Sequence, residues 1–125
     1  MDENELYELK NTILQEIRRG ILVLAALNEL SEAKYGYSLI SSLTEKGLEI
    51  DQGTLYPLLR RLEAQGLLNS AWNVEGARPR RYYVLNESGK RLLAMLAAEW
   101  NTLTGVMERL LGQKINQDWP DRGEG

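Results

Sequence analysis

The sequence predicts a mainly α-helical protein with one small β-hairpin, and three features carry that expectation. Apolar residues recur at spacings of three and four through most of the chain, as in helices that bury one stripe. The pattern changes at 67–85, where aromatic and β-branched residues flank a middle rich in Gly, Pro and Asn, as in a hairpin with a long loop. Leu93, Leu96, Trp100, Leu103, Met107 and Leu110 then alternate steps of three and four, a heptad seam on one long helix.

Residues 5–30 read as helical, with Leu6, Leu9, Ile13, Ile17, Ile21 and Leu24 in register. Gly20 interrupts the repeat and is a candidate division between two helices. Residues 21–30 are apolar nearly all round, which belongs in the middle of a core. After the polar break at 31–34, residues 35–46 supply the next helix, apolar at Tyr35, Leu39, Ile40 and Leu43 and stopped by Gly47. Asp51 is a good N-cap for a further helix, whose stripe is Leu55, Leu58, Leu59 and Leu62 and whose end is closed by Gly66. Two helices about five residues apart, with a glycine stop and a capping start, fit a helix-turn-helix. Pro57 sits inside the second, where its ring crowds the carbonyl of residue 53 and donates nothing to it. Residue 53 is glycine, so the expectation is a loosened first turn that pushes Thr54, Tyr56 and Pro57 forward as a blunt tip.

The strands of the hairpin, 67–72 and 80–85, enclose a loop that carries Arg78 and exits through Arg80 and Arg81. Tyr82 and Val84 alternate with Arg81 and Tyr83, so one pair faces the core. A helix-turn-helix followed by a basic hairpin is the layout of a winged helix. Asn86 caps the last helix and Glu87 suits its first turn. A helix of about 25 residues is roughly 37 Å long, more than a domain of this size covers with its own surface. It is expected to pair with a second copy along Leu93, Leu96, Trp100, Leu103, Met107 and Leu110. The expected organisation is a DNA-binding winged helix-turn-helix over 1–86, its N-terminal helix packing on the dimer helix. A dimerisation helix over 87–111 follows, then a flexible tail over 112–125 in which Trp119 is the one residue suited to dock.

Composition narrows the function. The 125 residues include no cysteine and no histidine, which removes disulfides, thiolate and imidazole metal sites and Cys or Ser-His nucleophiles. No paired carboxylates, tyrosines or lysines form a site, so no catalytic residue, metal or cofactor is assigned and an enzyme is not expected. The acidic start, Met1 to Glu5, is unlike a secretory signal, and no apolar run approaches the roughly 20 residues that span a bilayer. A cytoplasmic protein without a membrane partner is expected.

The net charge of −3 hides an asymmetry. Residues 1–59 hold 5 basic and 10 acidic side chains, 60–91 hold 7 and 3, and 92–125 hold 3 and 5. Phosphate binding depends on such a local basic block rather than on the average. The outward face of the second helix of the helix-turn-helix carries Gln52, Thr54, Tyr56, Pro57, Arg60 and Arg61. A bland solvated face would look similar taken alone. The basic block and hairpin beside it, together with the family resemblance described below, favour a DNA interface. Thr54 and Tyr56 approach bases and phosphates, Arg60 meets the backbone, and Arg61 either joins it or pairs with an acid of its own domain. Arg78, Arg80 and Arg81 meet phosphate or the minor groove. The rival is a winged helix used for protein contact, separated by salt-dependent binding to duplex DNA.

Tyr35-Gly-Tyr37, the block from Gly53 to Leu68 containing Gly-Thr-Leu-Tyr-Pro, and the block from Arg80 to Gly89 resemble the PadR family of bacterial transcriptional regulators. The match spans roughly residues 18–111, and the single long C-terminal helix is similar to the family's short branch, which includes multidrug-sensing repressors. The resemblance implies a winged-helix homodimer that represses transcription from a double-stranded operator with dyad symmetry and is released by a small planar aromatic ligand. It further implies that Trp100 stacks on that ligand, with Leu14, Ile17, Ile21, Leu96 and Leu103 as apolar partners; from the spacing alone Trp100 fills the dimer core and the others are plain packing. One turn after Trp100, where drug-binding relatives can carry an acid, this chain has Thr104, which speaks against a preference for cationic drugs.

Overall fold

The computed structural model describes residues 1–112. Its elements run α1 (Glu3–Glu29), β1 (Lys34–Tyr35), α2 (Gly36–Glu45), α3 (Gln52–Ala64), β2 (Leu68–Asn73), β3 (Arg80–Leu85) and α4 (Glu87–Leu111). The described residues fall into two compact units, with the boundary between Leu93 and Ala94. Apart from Gly112, the expected tail, Trp119 included, lies outside the described residues.

In the first unit, α1 begins at a reciprocal cap. Asp2 Oδ1 accepts the Glu5 amide at 2.8 Å, and Glu5 Oε1 accepts the Asp2 amide at 2.9 Å. The division expected at Gly20 is absent, since α1 is continuous from Glu3 to Glu29. A helical glycine costs about 1 kcal/mol, less than is lost by breaking a helix whose far end is anchored in the core. That anchoring comes late: Ala26, Leu27 and Leu30 have no exposed surface, whereas Ile21 to Ala25 are only half-buried.

The core gathers Leu27 and Leu30 with Leu39 and Leu43 of α2, the α3 stripe Leu55, Leu58, Leu59 and Leu62, and Leu68, Tyr83 and Leu85 of the sheet. Gly47 at φ +97° and Gly66 at φ +86° turn the chain out of α2 and α3 through the left-handed region that side chains disfavour. The Leu85 amide donates to the Leu30 carbonyl at 2.8 Å, fixing β3 to the end of α1.

The sheet has three strands in the order β1-β3-β2, all antiparallel, so the hairpin is not alone. Tyr35, expected on the apolar face of a helix, is the residue before α2 and pairs with Tyr82 in the added strand. Two residues are too short a strand to show an alternating pattern in sequence. Between β2 and β3 the register runs from Leu68 opposite Leu85 to Asn73 opposite Arg80. The core face of β3 is the one with Tyr83 and Leu85, and Tyr82 and Val84 are half-buried on the other. Asn86 caps α4 by accepting the Gly89 amide at 2.9 Å, and its Nδ2 donates to the Gly66 carbonyl at 2.9 Å. In the second unit the helix leaves Met95, Trp100, Leu103, Met107 and Leu110 exposed. Among the described residues no helix is long and apolar enough to cross a membrane.

Candidate nucleic-acid interface

The outward face of α3 is set by its cap and its stripe. Asp51 Oδ1 accepts the Thr54 amide at 2.8 Å, and four buried leucines fix the rotation of the helix. Gln52, Thr54, Pro57, Arg60 and Arg61 are therefore exposed. Neither Arg60 nor Arg61 belongs to an ion pair among the described residues. Arg61 lies in the last turn, where a cation also suits the helix dipole.

The expected blunt tip needs correction at two points. The helix passes through Pro57 without a break, and among the described residues only glycines have a positive φ. Tyr56 is half-buried rather than pushed forward. A side-chain carbon on Gly36 would fall against the Tyr56 ring, 2.7 Å from its hydroxyl oxygen. The ring is thus drawn back over the start of α2, into space that only glycine leaves open.

The three hairpin arginines point to different uses. Arg78 and Arg80 are exposed. The Arg80 guanidinium lies 4.3 Å over the centre of the Tyr35 ring, whose hydroxyl accepts Asn73 Nδ2 at 2.7 Å, so a flexible arm is held by a cation–π contact. Arg81 projects from the opposite face of β3. Its Nη2 lies 3.2 Å from Glu63 Oε1, and its Nε and Nη2 donate to Ser70 Oγ at 3.0 and 2.9 Å. Burial, the largest influence on the Tyr83 hydroxyl, pushes its pKa up, so it stays neutral beside these cations.

Between α3, the start of α2 and the hairpin runs an open groove of about 620 Å³, lined by Tyr37, Tyr56, Trp72, Arg78 and Arg80 among others and by no carboxylate. Such a basic, aromatic channel can follow a phosphate strand and hold it by charge and hydroxyl contacts. Tyr37 and Trp72 were not among the expected contacts, although Tyr37 stands in the quoted Tyr-Gly-Tyr block. A second omission is Arg18, whose Nη2 donates to the Glu49 carbonyl at 2.8 Å just ahead of α3. Arg18 and Arg19 line a pocket with Thr54, and the acidic balance of residues 1–59 concealed them.

The residues expected to meet a ligand or a second copy fall in separate units. On α1, Leu14 and Ile17 are exposed and Ile21 is half-buried. On α4, Trp100, Leu103, Met107 and Leu110 are exposed, and Leu93 and Leu96 are half-buried. Among the described residues no group of three or more acidic side chains is placed to hold a metal ion.

Residues 23–95 match the model of the transcriptional regulator PadR-like family. The chain is 38% identical over 96 residues to transcriptional regulator Rv3488 of Mycobacterium tuberculosis, covering 77% of this chain and 83% of that protein. A PadR family transcriptional regulator from Eggerthella lenta superposes with a TM-score of 0.80 at 42% identity, covering 86% of this chain and 96% of that one. A PadR-like transcriptional regulator from Bacillus cereus gives a TM-score of 0.70 at 26% identity, covering 77% and 96%.

Proposed function

Because the chain belongs to the PadR-like family of transcriptional regulators, we propose that it is a ligand-responsive homodimeric repressor of a palindromic operator. The observation that carries the DNA contact is the exposed face of α3 beside a groove that holds Arg78 and Arg80 and no carboxylate. In this reading α3 enters the major groove. Gln52, Thr54 and the Tyr56 hydroxyl meet base edges or phosphates near its start, with Pro57 packing against them, and Arg60 and Arg61 meet the backbone. The wing carries Arg78 and Arg80 to the flanking phosphates. Arg81 reaches DNA only by leaving Glu63 and Ser70.

The domain boundaries at 86 and 111 follow from the same reading, with α4 as the dimerisation helix. Two recognition helices must meet half-sites about 34 Å apart, one turn of B-DNA. Exposed leucine and methionine on α4 support pairing with a second copy. A planar aromatic ligand stacking on Trp100, with Leu96 and Leu103 on the same helix as apolar candidates, would change the spacing of the heads and release the operator.

Selection of bound duplexes from a random pool tests the proposal. A recovered palindrome supports both DNA binding and dimer symmetry, and a pool that never enriches counts against the reading. On the selected site, Arg60→Ala should weaken binding to every sequence and lower the salt slope by about 1, whereas Thr54→Ala should alter sequence preference. A ligand that quenches Trp100 and leaves operator affinity unchanged would remove the inducer from the model.

A further inference from the structure

We infer that Glu63 is a positioning residue for DNA binding, a brace that sets the wing relative to the recognition helix. This rests on the DNA-binding reading above. Glu63 stands in the last turn of α3, on the element proposed to enter the groove. Its carboxylate takes hydrogen bonds from both strands of the hairpin at once. Ser70 Oγ of β2 donates at 2.7 Å to Oε2, and Arg81 of β3 donates at 3.2 Å to Oε1. Arg81 also donates twice to Ser70, which closes a three-membered network across α3, β2 and β3.

Place and chemistry both argue for a brace. The Glu63 side chain is 30% exposed and that of Arg81 39%, so the pair is partly shielded from solvent and from salt. The Arg81 guanidinium also sits 5.7 Å from the ring centres of Trp72 and Tyr83, which restricts its alternatives. A carboxylate near a phosphate-binding surface is electrostatically unfavourable for DNA. It is useful there if its hydrogen bonds place cations that matter more. Of the hairpin cations Glu63 touches Arg81 alone, and it acts on the others through the position of β3. Arg80 immediately precedes Arg81 on β3, and Arg78 lies two residues before Arg80. A hairpin free to swing about α3 would present them over a range of positions, and holding it reduces the ordering cost of contact.

The sign of one substitution separates this from simple electrostatics. Removing the negative charge of Glu63 should tighten binding to DNA if charge alone acts, and should weaken it if the brace acts. The measurement is fluorescence anisotropy of a labelled, mixed-sequence 30-base-pair duplex titrated with the full chain at several salt concentrations. Glu63→Ala is expected to bind about threefold to tenfold more weakly, within the coupling range of one hydrogen-bonded network. It should also show a shallower salt slope, because the wing contacts contribute less. Arg81→Ala should give a similar loss, and the double variant no more than either alone. In an Arg78→Ala/Arg80→Ala background, adding Glu63→Ala should cost nothing further.

Ser70→Ala and Glu63→Gln, which leave part of the network, serve as milder variants and should fall between the extremes. Binding by Glu63→Ala as tight as or tighter than the parent overturns the brace. So does a loss that persists undiminished without Arg78 and Arg80, or additive losses from Glu63→Ala and Arg81→Ala, the last meaning that Arg81 meets phosphate itself. Failure of the parent chain to bind the duplex in a salt-dependent way overturns the DNA-binding reading, a result distinct from the others.

Discussion

Glu29 shows how a single charge is held at the margin of a small core. Its side chain is 8% exposed, and it accepts Lys46 Nζ at 2.8 Å and Ser42 Oγ at 2.6 Å. The Lys46 hydrogen bond first, and then that of Ser42, hold its carboxyl below the ordinary value of 4.5 despite partial burial. A carboxyl whose folded pKa is depressed stabilises the fold above the unfolded pKa, and that contribution disappears as pH falls through the folded one. Stability should therefore be steady near neutrality and decline on acidification below about pH 5. Glu29→Gln should cost on the order of 1–3 kcal/mol at pH 7 and flatten the acid decline. Urea midpoints for both proteins across this range provide the check, and parallel acid limbs would count against a role for Glu29. Gly89 gives a steric counterpart. A side-chain carbon there would fall against the Leu67 carbonyl and 2.9 Å from Leu85 Cδ2. Gly89→Ala should destabilise by about 1–3 kcal/mol, read from thermal unfolding, since the obstructing atom is partly backbone.

At the scale of elements, the meeting of α2 and α3 depends on one missing side chain. Gly36 is buried, and the Tyr56 ring occupies the space that any other residue would need. Gly36→Ala should displace the ring and cost roughly 1–3 kcal/mol. Gly36→Ala/Tyr56→Ala should be no less stable than Tyr56→Ala alone, because the collision is gone. Full additivity in a double-mutant cycle would mean that the two residues do not compete for space. This contact also separates local patterns from tertiary ones. The leucine stripe of α3, its Asp51 cap, the glycine stops and the α4 cap were legible because each is a local pattern. The direction of Tyr56 was not, since it is set by Gly36, twenty residues earlier in sequence. Arg81 looks in sequence like one more wing cation for the same reason: its partner Glu63 belongs to another element. β1 was too short to register, and the Gly20 break was overestimated because local propensity ignores how firmly residues 26–30 are anchored.

At the scale of the whole molecule, each unit taken by itself exposes a helical stripe of apolar residues among the described residues. Leu6, Leu9, Ile13 and Ile17 are exposed on α1, and Leu103, Met107 and Leu110 on α4. Stripes of this kind at helical spacing, on each unit taken by itself, are more than scattered surface residues and are characteristic of interfaces. If a second copy covers α4, its stability is linked to protein concentration, because only the assembled form gains the burial. Thermal midpoints of the parent chain should rise with concentration, and light scattering should report twice the single-chain mass. Leu103→Asp/Met107→Asp places charges on the seam, where desolvating an unpaired carboxylate opposes association. The variant should scatter as a single chain with a midpoint independent of concentration. On a palindromic duplex it should bind far more weakly than the parent, while on a single half-site the two should differ little, since each head then acts alone. A parent protein that remains single at all concentrations, or a variant that stays paired, would move the interface off α4 and detach the geometry of the operator from this helix.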